Sequence, residues 1–170
     1  MAIDRYNVIM FSYTQKYEAI LMKIASLKKI IMAVSIMVAA GDASAHSAGA
    51  TIDAAGNNAS ATDLAAVICY DDGNGAPHHL YTQIQDTSSP VSGLLVSTQI
   101  YKDSQMTNTT DTVSGDANYS DLATLNGGGG EYIISVSKTA AGARNFNITY
   151  HCQTAADVHT GTDITVFQVQ

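Results

Sequence analysis

Residues 145–153, with the sequence Asn-Phe-Asn-Ile-Thr-Tyr-His-Cys-Gln, decide the fold class. Apolar side chains occupy every second position of this stretch, at Phe146, Ile148, Tyr150 and Cys152. Such alternation is typical of a β-strand that buries one face and leaves the other in solvent. We therefore expect a half-buried strand here.

The same alternation recurs along the chain after residue 46, where helical periodicity is nearly absent. Segments rich in glycine, asparagine and proline separate the alternating runs and supply the backbone angles of tight turns. The pattern predicts strands at 64–71, 79–86, 94–101, 131–138, 145–153 and 163–169. Short strands with turns about every ten residues indicate an all-β chain, a single antiparallel β-sandwich. The polar segment 107–115 fits either a strand or a loop.

The chain contains two cysteines, Cys69 and Cys152. In an oxidising compartment, two cysteines predict one disulfide bond. A free pair of thiols, or thiolates bound to a metal, is the alternative. A bridge that closes so long a loop would stabilise the fold by about 4–5 kcal/mol in the chain-entropy model.

Tyr150 stands two residues before Cys152, on the same face of the predicted strand. This arrangement resembles strand F of immunoglobulin-like domains, in which the first cysteine lies in strand B. The resemblance implies that the strands are B (64–71), C (79–86), E (131–138), F (145–153) and G (163–169), and that the Cys69–Cys152 bridge joins the two sheets. The chain has no tryptophan, which argues against a true antibody-type domain. An ordinary sandwich with a coincidental Tyr-x-Cys triplet is the alternative.

An export signal begins at Met22. Lysines open it, an apolar run covers residues 30–40, and Ala43-Ser44-Ala45 has the small-residue pattern of a signal-peptidase site. We interpret 22–45 as a signal peptide, 46–170 as the mature β-sandwich domain, and 1–21 as an upstream extension from a misassigned start. Cleavage after Ala45 would make His46 the first residue. The signal is of bacterial type, so we expect a periplasmic or extracellular protein.

A membrane anchor is the alternative interpretation of the same segment. Its apolar run has roughly 11 residues, whereas a membrane-spanning helix needs about 20. We therefore expect no stable anchor after cleavage.

The mature segment is strongly acidic. Of the 15 acidic residues, three lie before His46, which leaves 12 against the three cations Lys102, Lys138 and Arg144. Such a surface repels phosphate backbones and anionic lipid. Nucleic acid is therefore not an expected partner, whereas cations are favoured.

All five histidines lie in the mature segment. In the predicted sandwich the start of the first strand, the B–C loop and the F–G loop share one end. This places four candidate metal ligands near one another: His46, His78, His79 and His159. A mature N-terminal histidine offers both its α-amine and its ring, which suits Cu(II). His151 is predicted to face away from the core, and we assign it no role.

The histidines have a simpler explanation as solvent-exposed loop residues. A mature chain that starts with His46 resembles small periplasmic copper carriers and copper polysaccharide monooxygenases in that residue alone. The lack of tryptophan and of any ordered nucleophile motif argues against a copper redox enzyme or a hydrolase.

Two functions follow from these patterns. The first is an exported, non-catalytic sandwich that binds copper, as Cu(II), through His46 and the loop histidines. The second is a structural or adhesive surface subunit without metal, which assembles with a protein partner or with itself through exposed strand edges. The apolar strand 163–169, which lacks a lysine or arginine, motivates the second.

Overall fold

The structure, a computed structural model, describes residues 46–170. The predicted signal peptide (22–45) and upstream extension (1–21) lie outside the described residues. No helix within residues 46–170 is long and apolar enough to cross a membrane. The described chain is all β and forms nine strands: β1 (Ser47–Ile52), β2 (Thr62–Tyr70), β3 (His79–Asp86), β4 (Val96–Lys102), β5 (Gln105–Asp111), β6 (Ala123–Leu125), β7 (Gly130–Lys138), β8 (Arg144–Gln153) and β9 (Gly161–Gln168).

The nine strands form two sheets that face each other. The first sheet has four strands in the order β1-β8-β3-β6, and the second has five in the order β5-β4-β7-β2-β9. All strand pairings are antiparallel. The inward side chains form one core, which includes Val67, Leu80, Ile84, Tyr132 and Phe146. The prediction of an antiparallel β-sandwich is confirmed.

The six predicted strands correspond to β2, β3, β4, β7, β8 and β9, with ends that differ by at most two residues. The polar segment 107–115 is divided: its first part belongs to β5, which pairs with β4, and the remainder is a loop. Thr109 and Asp111 of β5 are buried although they are polar. Their burial explains why the hydrophobic pattern does not reveal this strand.

Cys69 of β2 and Cys152 of β8 form a disulfide, with a Cα–Cα distance of 5.5 Å and 83 residues between them in sequence. Both cysteines are buried in the core. Because β2 and β8 belong to different sheets, the bond joins the two layers. The predicted inter-sheet disulfide is confirmed.

The first and last strands lie on the sheets opposite to those that the immunoglobulin resemblance implies. That arrangement puts the first strand in the sheet of strand B and the last in the sheet of strand F. Here β1 pairs with β8, the counterpart of F, and β9 pairs with β2, the counterpart of B. The counterparts of B, C, E and F keep the expected sheets.

Contacts at Thr160 and Gly161 explain why β9 crosses to the second sheet. Thr160 Oγ1 lies 2.8 Å from Gly75 O and 3.0 Å from Tyr70 O, so the chain is held against the end of β2. A Cβ atom on Gly161 would lie 2.5 Å from the Tyr70 ring, so a side chain there would push β9 away. With β9 on the second sheet, the edge of β8 is left for β1.

A buried ion pair joins the end of β7 to the loop after β1, at the opposite end of the sandwich. Lys138 Nζ donates to Asp53 Oδ2 at 2.8 Å and to the carbonyls of Asn58 and Ala140. Asp53 also accepts from the backbone amides of Asn57, Asn58 and Gly142. The Lys138 bond and these amides lower the pKa of Asp53 far below its ordinary value.

We expect Asp53→Asn to lower the midpoint of urea unfolding at neutral pH, because it leaves the buried Lys138 ammonium without an opposite charge. Asparagine tolerates the positive φ of 55° at this position, so backbone strain does not contribute. The wild type should also lose stability as pH falls below about 3.8, where the unfolded chain takes up a proton that native Asp53 refuses. The exposed Asp163→Asn is the control. An Asp53→Asn protein as stable as this control would contradict the prediction.

Candidate metal centre

Three histidines from separate parts of the sequence meet at one end of the sandwich. His46 directly precedes β1, His151 lies on β8, and His159 lies in the loop between β8 and β9. One ring nitrogen from each residue can be chosen so that all three lie within 4.8 Å of one another. We call these three residues the histidine triad.

The pairing of β1 with β8 brings His46 to this place. Ser47 lies opposite Thr149 in the ladder, and Tyr150 N donates to His46 O at 3.1 Å. His159 arrives from the other side, because it forms an isolated antiparallel bridge with Gln153 at the end of β8. Both residues therefore flank His151, whose ring lies on the outer face of the sheet.

The triad is held together by ring contacts. His159 Nε2 lies 3.2 Å from His46 Nδ1, and the two rings are stacked with an interplanar angle of 7°. The His151 ring stands edge-on to both, with centroid distances of 5.8 Å to His46 and 5.4 Å to His159. The contact between His46 and His159 requires a proton on one of the two nitrogens.

A metal ion bound to both nitrogens could take the place of that shared proton. Nitrogen ligands lie about 2.0–2.1 Å from an ion such as zinc, so two ligands in adjacent positions are about 2.9–3.4 Å apart. The distance of 3.2 Å between His46 Nδ1 and His159 Nε2 falls within this range. The triad therefore offers three nitrogen ligands within 4.8 Å of one another, and its His46–His159 pair has the spacing of adjacent metal ligands.

The surroundings of His151 and His159 favour their neutral imidazoles, which is the form that binds metal. Burial, together with His159 and His46, lowers the pKa of His151 to about 4. Burial and His46 also lower the pKa of His159, against the opposing effect of Asp72. Near neutral pH, protons therefore compete weakly for these nitrogens.

Two tyrosines enclose the triad. The Tyr81 ring stacks on His151 with a centroid distance of 5.0 Å, and the Tyr150 ring lies 5.9 Å from that of His46. Burial raises the pKa of both phenols, so they remain uncharged at neutral pH. They restrict the movement of the rings without adding an anionic ligand.

The structure brings together two of the four histidines predicted as ligands. His46 and His159 belong to the triad, whereas His78 and His79 contact each other beside β3, outside it. His151, to which the sequence analysis gave no role, supplies the third ring. Its outward position on β8 could be read from the alternation, but its neighbours depend on the β1–β8 pairing, for which the sequence has no signal.

One acidic residue of the loop between β2 and β3, Asp72, lies near the triad. The negative charge of Asp72 favours a higher pKa of His159, against the lowering by burial and His46. Thr160 Oγ1 lies 3.3 Å from Asp72 Oδ1, within hydrogen-bond distance. Asp71 accepts from Gly73 N and Gly75 N and closes its own turn. Because these bonds close the turn, they agree with a structural role for Asp71.

No family model, curated protein or solved structure matches the chain. The assignment of function therefore rests on the chemistry of the residues described above.

We expect the free energy of unfolding to decrease as pH falls from about 6.5 to about 4, because the unfolded chain binds a proton that native His151 excludes. The loss should be on the order of 2 kcal/mol. Urea unfolding at pH 7, 5.5 and 4.5 measures it. In His151→Gln the decrease over this interval should become shallower. An unchanged decrease in that variant would show that His151 does not cause it.

Proposed function

We propose that this chain is an exported, non-catalytic protein that binds Cu(II) through His46, His151 and His159. The observation that carries the proposal is the approach of three imidazole nitrogens to within 4.8 Å of one another. The signal segment 22–45 supports export. The Cys69–Cys152 disulfide is consistent with a location outside the cytoplasm.

Ligand chemistry favours copper among the divalent ions. Sites built from nitrogen ligands follow the Irving–Williams order, in which Cu(II) binds more tightly than Zn(II). The charge of the domain adds to this preference, because two of its three lysine and arginine residues, Lys138 and Arg144, are buried. The exposed charges are therefore mostly acidic and attract cations.

Cleavage after Ala45 would add a fourth nitrogen to the site. His46 would then carry a free α-amine, with a pKa of about 7.7–8.0 in unperturbed chains. His46 takes part in the triad through Nδ1, and the amine and Nδ1 of one histidine can bind the same ion in a small chelate ring. A chain that retains Ala45 has an amide nitrogen here, which is a much poorer ligand.

Copper titration of protein that begins at His46 tests the proposal. We expect sub-micromolar binding, weakened at least about tenfold in His46→Ala or His151→Ala, as for the loss of residues that hold a metal site together. Addition of Ala45 to the N-terminus should also weaken binding. Calorimetry gives the affinities, and electron paramagnetic resonance shows nitrogen coordination of Cu(II).

The matched control is Thr124→Ala, an exposed substitution on β6 that removes no imidazole. It should bind Cu(II) as the wild type does. Equal tight affinity for the wild type, His46→Ala and His151→Ala would reject the proposed site. Tighter binding of Zn(II) than of Cu(II) would reject the choice of metal.

A second candidate function is a structural or adhesive subunit that assembles with further copies of itself. An apolar groove runs along the open side of the sandwich between β1 and β9. Val166, Phe167 and Val169 are each more than half exposed beside it. Within the described residues β1 pairs only with β8 and β9 only with β2, so each strand keeps one free edge. Free apolar edges invite the addition of a strand from another copy.

This function predicts that the mature protein forms dimers or longer arrays. Val166→Lys should disrupt them, because the lysine puts a charge into the groove. Light scattering at increasing concentration and electron microscopy measure this. Thr165→Lys, at the neighbouring exposed position, is the control and should assemble normally. A wild type that stays monomeric at high concentration would contradict this function.

A further inference from the structure

His78 and His79 form a polar cluster of their own, separate from the histidine triad. They lie at one side of an open cleft of about 590 Å³ on the outer face of the first sheet. Gln153 and Asp157 reach the same cleft from the end of β8 and the loop that follows it. The cleft thus collects two imidazoles, an amide and a carboxylate.

The orientation of His79 is fixed by Gln153. His79 is only 7% exposed, and its Nε2 lies 2.9 Å from Gln153 Oε1. An amide oxygen only accepts hydrogen bonds, so this contact calls for a proton on His79 Nε2, and a neutral ring then carries its lone pair on Nδ1. Metal-binding histidines are usually held in this way, with the second ring nitrogen donating to a fixed oxygen.

The free Nδ1 of His79 faces a second ring nitrogen. His78 Nδ1 lies 3.3 Å away, and the two rings are nearly perpendicular at 89°. This distance falls within the range of about 2.9–3.4 Å between adjacent nitrogen ligands of one ion. His78 is exposed, so its ring can turn toward an ion.

We infer that His78 and His79 form a second metal site, which holds a divalent ion that favours imidazole, such as Zn(II) or Cu(II), between their two Nδ1 atoms. The remaining coordination positions face the cleft and are open to water or to an external ligand. Asp157 adds a negative charge nearby, since its Oδ1 lies 3.7 Å from His79 Nε2. The inference does not require the triad to bind copper.

The two sites would lie on the same sheet face. In the β3–β8 ladder His79 lies opposite Gln153, and Tyr81 lies opposite His151. His79 and His151 are therefore diagonal neighbours, about 7–8 Å apart across the strands. The Tyr81 ring is stacked on His151 and also lines the cleft beside His78 and His79.

Metal stoichiometry of the mature protein, measured by equilibrium dialysis with Zn(II) and separately with Cu(II), tests the inference. The measurement is decisive in the double variant His46→Ala with His151→Ala, because these substitutions remove two of the three triad imidazoles. It should still bind one ion, and further substitution of His78→Ala should abolish this binding. Thr124→Ala, which changes the cleft without removing a nitrogen, should leave the ion bound.

Different results would overturn the second site and the copper site of the triad. No ion bound by the double variant, or an ion that His78→Ala does not displace, would overturn the second site whatever the triad does. Because His78 is exposed, we expect its variant to fold, and circular dichroism verifies this. Nitrogen NMR gives an independent measurement: His79 should be protonated at Nε2 and not at Nδ1, and the opposite tautomer would overturn the inference.

A substitution of Gln153 tests the orienting role of its amide. Gln153→Leu removes the oxygen that holds the His79 tautomer but leaves both imidazoles in place. Binding at the second site should weaken about tenfold, the lower end of the usual effect of such partners. The NMR signals of His79 should then show both tautomers. Unchanged affinity together with an unchanged tautomer would contradict this role.

Discussion

Hydrogen bonds between β1 and β8 hold the first strand on the sheet that carries His151. The bond from Tyr150 N to His46 O extends this ladder by one residue beyond β1, so it fixes the backbone from which the His46 ring projects. If β1 paired with β2 instead, His46 would stand on the other sheet, across the core from His151. Whether His46 joins His151 in the triad therefore depends on the pairing of β1 with β8 rather than with β2.

That choice is coupled to the path of the chain after β8. The Cys69–Cys152 bond and the contacts of Thr160 draw the start of β9 toward the end of β2. The same short loop carries His159 back past Gln153. One connection thus places β9 on the second sheet, leaves the edge of β8 for β1, and delivers the third imidazole.

Much of the fold could be predicted from the sequence, because alternation and turn residues report directly on strands. The disulfide followed from the number of cysteines and the export signal. The partners of β1 and β9 could not be predicted, since both are edge strands whose neighbours are set by loop contacts such as those of Gly161. β5 was hidden because two of its buried side chains, Thr109 and Asp111, are polar. The Asp111 carboxylate accepts from Asp86 N and Val113 N.

Like the fold, the candidate metal site could be predicted only in part from the sequence. Strand direction correctly suggested that His46 and His159 share one end of the sandwich. The side to which each ring turns depends on ladder register, which puts His79 opposite Gln153 and leaves His151 beside the first strand.

The burial of two of the domain's three lysine and arginine side chains also affects its resistance to proteolysis. Trypsin-like enzymes cut after lysine or arginine and need an extended, accessible chain around the bond. Lys138 and Arg144 are enclosed by the fold, and Lys102 ends β4 at a tight turn where its ammonium contacts the Gly129 carbonyl and the Tyr132 ring. Within residues 46–170 the native domain therefore presents almost no substrate to such enzymes.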